Sequence, residues 1–332
     1  MRYRIEQDAL GERQISAEAY YGIHTLRGKE NFELTKRVIN RQMIKALAII
    51  KKSAARTNAD LGLLSEDYAK AISLSCDEIL NGRLHGQFIT DFIQGDSGSG
   101  MNMNANEVIA NRANEMLGSK KGLYDLVDPL KHVNHGQSAY DVIPTAGKIA
   151  LIRQTKKLNV ELKKLVNSFS GKASSFKNGV FVNETLYQTF DAFSNVLNRD
   201  LKRIETAIEG LLDINIGVTL YGDNVKYIKK LVGYISKFSG EEFRPAKNII
   251  DSTINLDCFL QLSSSVKCLA VDMLKISNDL RYIGGTNYGE ISFPLVQELI
   301  TKKTESANST ILEAINQVCF YAIGLDSTVT HA

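Results

Sequence analysis

The chain has 332 residues, of which 44% are hydrophobic and 23% charged, and its formal net charge is +3 at pH 7. This length is enough for two or three domains with hydrophobic cores, and the composition is that of an ordinary soluble globular protein. Basic and acidic residues are interleaved and the net charge is small, which argues against a nucleic-acid partner.

Targeting and membrane signals are not visible in the sequence. The apolar stretches, such as Ala46 to Ile50, are far shorter than a membrane span, and Met1 to Gln7 is charged rather than apolar. We therefore expect a cytoplasmic protein with no membrane partner. No CxxC pair and no histidine at a metal-ligand spacing accompany the cysteines, so we expect no metal site and reduced, partly buried thiols at Cys76, Cys258, Cys268 and Cys319.

Long helices are the main structural prediction, because the chain contains only four prolines. In the range 43–58, Met43, Leu47, Ile50 and Ala54 form one apolar stripe. Lys45, Lys51 and Lys52 lie off that stripe, which predicts a half-buried helix with these lysines facing solvent. Later helical ranges are 145–169, 190–214, 255–282 and 311–329. Strand signals are short and lie mostly near the N-terminus, so the predicted fold class is mainly α, a long helical bundle with a small mixed N-terminal domain.

Glycines cluster at Gly95 to Gly100 and again at Gly284, Gly285 and Gly289. These clusters are typical of loops beside long helices. Neither matches a dinucleotide or P-loop pattern, since no Lys-Ser or Lys-Thr follows Gly100. The sequence therefore gives no indication of a nucleotide cofactor.

Several motifs in chain order carry a family resemblance. They are RIEQDALGERQISAEAYYGIHTLRGKENF at 4–32, GMNMNANEVIAN at 100–111, HVNHGQS at 132–138, NDLR at 278–281, NQVCF at 316–320 and TVT at 328–330. Together they resemble the aspartase/fumarase family over almost the whole chain. His24, within Tyr-Gly-Ile-His-Thr-Leu-Arg, favours the aspartase branch.

The resemblance implies three largely helical domains, a tetramer packed through the central bundle, and active sites shared by three chains. It also implies interconversion of L-aspartate with fumarate and ammonia, without an organic cofactor. By this resemblance we expect an N-terminal domain over 1–138, a shortened helical bundle over 139–332, and no counterpart of the family's C-terminal domain. The chemistry needs a base that removes a weakly acidic proton and donors that stabilise the resulting dianion. The family's base is a serine in the loop Gly-Ser-Ser-x-Met-Pro-x-Lys-x-Asn.

This catalytic loop is replaced. Counting back from Asn316 without gaps aligns it with residues 299–308. Ile300 then occupies the position of the serine base, so the predicted set of catalytic residues is empty. Thr301 stands for the second serine and Ser306 for the lysine, while Asn308 is retained.

Other motifs of the family are also altered. Its Gln-Ser-Thr-Asn-Asp becomes Gln-Ser-Ala-Tyr-Asp at 137–141, and Glu184 replaces an arginine that would lie near an anionic substrate. One hydroxyl survives at Ser99, and His132 and His135 are interpreted as structural. The remaining substrate-binding candidates are Ser99, Asn102, Asn134, Ser138, Thr185, Thr301 and Asn308.

Three functional hypotheses follow. The first is a non-catalytic, aspartase-like protein that binds a partner, a small dicarboxylate or an amino acid. The second is a subunit of a composite aspartate ammonia-lyase that a fuller paralog completes. The third is a self-sufficient lyase with a rearranged site. Apolar stripes at 193–211 and 259–273 further predict a homo-oligomer, or a hetero-oligomer with a full-length aspartase-like chain, unless the helix at 311–329 seals the bundle within one chain.

Overall fold

The computed structural model describes residues 2–180, 182–217, 224–284, 290–293 and 310–332. It is mainly helical, which confirms the predicted fold class. Strands β1 (Tyr3–Asp8) and β2 (Gly11–Ser16) form an antiparallel hairpin, and β3 (Asp213–Ile214) pairs in parallel with β4 (Arg244–Pro245). The helices are α1 Ile23–Asn31, α2 Arg41–Asp60, α3 Glu66–Leu80, α4 Ser99–Met116, α5 Ala139–Asn178, α6 Glu184–Glu209, α7 Val225–Ser239, α8 Ile249–Ile254, α9 Asp257–Ile283 and α10 Thr310–His331.

The five predicted helical ranges correspond to α2, α5, α6, α9 and α10. One difference lies at the end of α6, where the apolar period predicts a helix up to Ile214. The helix stops at Glu209, and Asp213 and Ile214 form β3 instead. Leu211 and Ile214 are nevertheless buried, so core residues continue beyond the helix end and mimic the helical period.

The chain forms two compact units, one made of Met1–Gln154 and Leu211–Asn255, the other of Thr155–Gly210 and Leu256–Ala332. The domain border expected between residues 138 and 139 stays a prediction, although α5 does begin at Ala139. Across the described residues, no helix is both long and apolar enough to cross a membrane.

Helix α2 is the centre of the first unit. It packs against α3, α4 and α7, and every side chain from Ala46 to Ile50 is at most 1% exposed. Five consecutive apolar residues cover the whole circumference of the helix, so this part of α2 is buried on all sides. Lys51 continues this segment and is itself fully buried, so the prediction that Lys51 faces solvent is wrong.

The N-terminal motif residues hold the hairpin and α1 in place. The Arg4 guanidinium donates to three backbone carbonyls, those of Ser16, Ala19 and Tyr21, at 3.0, 2.7 and 2.7 Å. A side chain at Gly22 would not fit, because its Cβ would lie 2.3 Å from the hydroxyl oxygen of Tyr124. These contacts give the motif a structural role.

Glu107 of α4 caps the N-terminus of α1, which has no side-chain cap of its own. Its buried carboxylate accepts the backbone N–H groups of Gly22, His24 and Thr25 at 2.8, 3.0 and 3.1 Å. It also accepts the Thr25 hydroxyl at 2.6 Å. A carboxylate at this position satisfies otherwise unpaired N–H groups at the positive end of the helix dipole.

The second unit contains the later part of α5 with α6, α9 and α10. Phe169 of α5 packs against Phe190 and Phe193 of α6, with ring centroids 5.9 and 5.6 Å apart. The predicted α6 stripe from Phe193 to Leu211 is buried within this chain. That stripe is therefore covered within this chain, and the expected oligomer stays a prediction.

Candidate functional site

The seven predicted binding residues are distributed over both units and beyond. Thr301 and Asn308, together with Ile300 at the aligned base position, lie outside the described residues, so the loop alignment remains a prediction from sequence. The first unit contains Ser99, Asn102, Asn134 and Ser138. The second contains Thr185, an exposed residue in the first turn of α6 that lines a groove between α6 and α9.

Asn102 and Asn134 are brought into direct contact. The Asn102 Nδ2 group donates to Asn134 Oδ1 at 3.1 Å, and Lys51 Nζ donates to the same oxygen at 2.8 Å. Asn134 Nδ2 in turn donates to the carbonyl of Gln137 at 3.1 Å. Because a carbonyl oxygen has two lone pairs, this oxygen is fully used, and Asn134 retains one N–H for a further partner.

The segment from Val133 to Ser138 is held by further amide contacts. Gln137 Nε2 donates to the Val133 carbonyl at 2.9 Å, and Asn58 Nδ2 of α2 donates to the His135 carbonyl at 3.1 Å. The oxygens Asn58 Oδ1, Asn102 Oδ1 and Gln137 Oε1 are buried and have no hydrogen-bond donor among the described residues. Such acceptors normally find a donor in a native protein, from a ligand or from solvent.

Ser138 begins α5 through a reciprocal cap. Its hydroxyl oxygen accepts the backbone N–H of Tyr140 at 3.3 Å, while Asp141 Oδ1 accepts the backbone N–H of Ser138 at 3.0 Å. This is the capping-box arrangement, with aspartate in place of glutamate at the third helical position. Asp141 Oδ2 also accepts the N–H of Gly217 at 2.9 Å. Burial raises the pKa of Asp141 to about 6 despite these hydrogen bonds. The half-buried Ser138 hydroxyl still has its hydrogen available for donation.

His132 lies in a short π-helical turn, Pro129–Val133, that precedes Asn134. Its Nδ1 accepts the backbone N–H of Asp128 at 2.9 Å, and its ring packs 5.3 Å from that of Tyr68. Desolvation by burial lowers the pKa of His132. The imidazole is therefore used in the fold as a neutral acceptor, in keeping with the structural interpretation from sequence.

Within the described ranges, Lys51 is the cation that contacts the asparagine pair, and the sequence motifs do not mark it. Burial lowers the pKa of its ammonium group to about 7, against the weaker opposing effect of the Asp141 carboxylate. The sequence does contain one indication that Lys51 is buried. Lys51 directly follows the apolar run 46–50, so the first lysine of the Lys-Lys pair continues the buried surface. Lys52, its neighbour, instead forms an ion pair with Asp77 at 2.6 Å.

A Lys51→Met variant should show an altered pH dependence of stability. Folding lowers the pKa of Lys51 from 10.5 to about 7, so between these values the unfolded chain binds more protons at this group. The contribution of Lys51 to stability therefore rises as the pH increases through this window and is lost as the pH falls through 7. One group accounts for a slope of at most roughly 1.4 kcal/mol per pH unit.

Urea unfolding at several pH values above 7 tests this, with Lys52→Met as the matched control. We expect the free energy of unfolding to rise less steeply with pH in Lys51→Met than in the wild type. The control should keep the wild-type slope, because Lys52 is partly exposed and forms an ion pair with Asp77, away from the contact with Asn134. Parallel curves for all three proteins would contradict the lowered pKa of Lys51.

The described part of the chain combines long helices, a small N-terminal hairpin and, at the start of its longest helix, a polar node formed by Lys51, Asn102, Asn134 and Ser138. A family model described as lyase matches residues 11–324. The chain belongs to the aspartase/fumarase family of lyases.

Known relatives share most of the chain with it. The aspartate ammonia-lyase of Bacillus subtilis strain 168 is 41% identical over 343 residues, covering 98% of this chain and 72% of that protein. The aspartate ammonia-lyase of Escherichia coli K12 is 36% identical over 348 residues, covering 99% and 73%. A crystal structure of a fumarate lyase:delta crystallin from Brucella melitensis, bound to cobalt, is 36% identical with a TM-score of 0.93, covering 100% of this chain and 76% of that one. A class II fumarase from Schistosoma mansoni is 27% identical with a TM-score of 0.91.

Proposed function

We propose that this protein is a non-catalytic member of the aspartase-like lyases, which binds a small dicarboxylate or amino acid and works as an oligomer. The observation that carries the proposal is Ile300 at the position aligned with the serine base. An alkyl side chain has no lone pair and cannot accept a proton. With Ser306 at the lysine position, the loop also lacks the cation that would stabilise a serine oxyanion.

The pattern of retained residues supports this proposal. The kept residues Asn102, Asn134 and Ser138 all have contacts that maintain the fold, whereas Ala139 and Glu184 differ from the family where it uses a hydroxyl and an arginine. Maintenance of the scaffold without its chemical groups is expected of a protein selected for binding or assembly. The physical argument for lost catalysis therefore rests on several independent positions.

The chemical groups of the polar node support the proposed binding of a small charged ligand. Among the described residues, Ser138 has a hydroxyl hydrogen and Asn134 one N–H without an acceptor, and Asn102 has a buried acceptor oxygen without a donor. The donors suit a carboxylate, and the acceptor suits an amino group. Titration calorimetry with L-aspartate and with succinate tests this, with uncharged succinamide as control. Saturable heat from either acid alone supports the ligand, and no heat from any of the three contradicts it.

The α10 surface supports assembly. An apolar seam runs along the helix at alternating spacings of four and three residues: Ile311, Ile315, Val318, Ala322, Leu325 and Val329. In this seam the Val318 side chain is 67% exposed and the Leu325 side chain 47% exposed. The adjacent face, with Leu312 and Cys319, is buried, and α10 packs against α9. A sustained heptad pattern of this kind is what a second helix packs against.

A double variant, Val318→Lys with Leu325→Lys, should therefore dissociate the assembly. Gln317→Lys adds a charge at an exposed polar position of the same helix and should leave the mass unchanged. Light scattering coupled to size exclusion at micromolar protein measures the mass of each species. A wild-type protein that is monomeric under these conditions would contradict the proposed oligomer, as would a double variant of wild-type mass.

A further inference from the structure

Lys51 has no contact with solvent, and its Nζ lies 2.8 Å from Asn134 Oδ1. The charged and titratable groups that face it are the Asp141 carboxylate at the start of α5 and the Cys76 thiol of α3. Burial raises the pKa of that thiol, so it is neutral. Lys51 is therefore a hydrogen-bond donor to one amide in an enclosed polar environment.

The hydrogen bond from Lys51 to Asn134 bears on how the carboxamides of Asn102 and Asn134 are oriented. Asn102 and Asn134 alone could exchange the roles of donor and acceptor, because each amide has both an oxygen and an NH2 group. Lys51 donates to the oxygen of Asn134, and its protonated form has no acceptor atom, while the backbone carbonyl of Gln137 can only accept. These two partners together require the oxygen of Asn134 to face α2. The NH2 group of Asn134 must then face the other way, towards the carbonyl of Gln137 at 3.1 Å.

That orientation closes the turn leading into α5. The Asn134 to Gln137 contact spans the residues immediately before Ser138, whose hydroxyl and backbone N–H complete the α5 cap. Without Lys51 the oxygen side of Asn134 would be held by Asn102 alone, whose amide can reverse, while the Gln137 carbonyl would still hold the NH2 side. Lys51 thus acts on Ser138 through Asn134 and not by reaching the ligand itself.

We propose that Lys51 is a positioning residue that fixes the carboxamide of Asn134 and, through the Gln137 carbonyl, holds Ser138 in place for ligand binding. The binding readout rests on the proposed function, in which Ser138 contacts a dicarboxylate or amino acid. The orientation of Asn134 does not depend on that function. The two parts are therefore measured separately.

The first measurement needs no ligand. Side-chain amide 1H–15N signals are recorded for the wild type, Lys51→Met and Lys52→Met, with the Asn134 signal assigned by its loss in Asn134→Asp. We expect the Asn134 NH2 signals to shift and to exchange faster with solvent in Lys51→Met, and to stay unchanged in Lys52→Met. Unchanged Asn134 signals in a folded Lys51→Met protein would overturn the proposal, whether or not any ligand binds. If Lys51→Met does not fold, Lys51→Leu, which likewise has no donor group, serves in its place.

The second measurement is a double-mutant cycle on binding of L-aspartate or succinate by calorimetry. Lys51→Met and Asn134→Asp should each weaken binding about tenfold or more, and the double variant should be no weaker than the poorer single variant. Lys52→Met should bind within about twofold of the wild type. Additive losses would overturn the proposal, because they would mean that Lys51 acts on the ligand independently of Asn134. If the wild type binds neither acid, the proposed function fails on that point, while the amide signals still decide the role of Lys51.

Discussion

Purified protein incubated with L-aspartate is expected to release fumarate at least about 10^4-fold more slowly than a catalytically complete aspartate ammonia-lyase at equal concentration. The proposed reason is that Ile300 aligns with the serine base in the sequence comparison, since an alkyl group cannot remove a proton from substrate. The ultraviolet absorbance of fumarate measures the rate directly. Turnover by the purified protein close to that of the complete enzyme would contradict the proposal and favour a rearranged, self-sufficient site.

Two further samples sharpen this experiment. Ile300→Ser alone should not restore activity, because Ser306, Ala139 and Glu184 still differ from the family pattern and the groups of such a site act as a unit. A mixture with a full-length aspartase-like paralog should release fumarate at the rate of that paralog alone. A mixture clearly faster than its components would instead support a composite lyase, in which this chain supplies part of a shared site.

The helices were predictable because their signal is local and repeated. Apolar residues at helical spacing mark α2, α5, α6, α9 and α10, and several ordered motifs identify the family. The end of α6 was not predictable from that signal, because Leu211 and Ile214 are buried after the helix has ended. Periodicity reports which residues are buried, and burial is not confined to helices.

The polar node was only partly predictable. Asn102, Asn134 and Ser138 are marked by motifs, but a motif does not say which atoms of an amide are already used. The burial of Lys51 was not predicted, because an apolar stripe implies that only one face of the helix is covered. Around residues 46–51, α2 is covered on all sides. Charged residues are rarely buried without partners, so a lysine beside an apolar run is normally placed in solvent. The turn at 134–137 provides the compensating acceptor for Lys51, which is Asn134 Oδ1, and Asn102 of α4 donates to the same oxygen.

Glu107→Gln should destabilise the protein by roughly 2–4 kcal/mol, the largest effect we expect from a change of one side-chain atom. The carboxylate accepts three backbone N–H groups and the Thr25 hydroxyl in a fully buried position. A glutamine would turn its NH2 group towards one set of these donors, leaving them unpaired. Urea unfolding followed by circular dichroism, at one fixed protein concentration, measures the loss in free energy of unfolding.

Glu66→Gln is the matched control. The Glu66 carboxylate pairs with Arg56 at 2.6 Å, but its side chain is 66% exposed, so the same substitution should cost less than about 1 kcal/mol. A second readout is His24, whose pKa is raised chiefly by its hydrogen bond to Glu107. That pKa should fall in Glu107→Gln and stay unchanged in Glu66→Gln when followed by NMR. Equal losses of stability in the two variants, or a His24 pKa that does not move, would show that Glu107 does not anchor α1, and the N-terminal motif would then need another physical explanation.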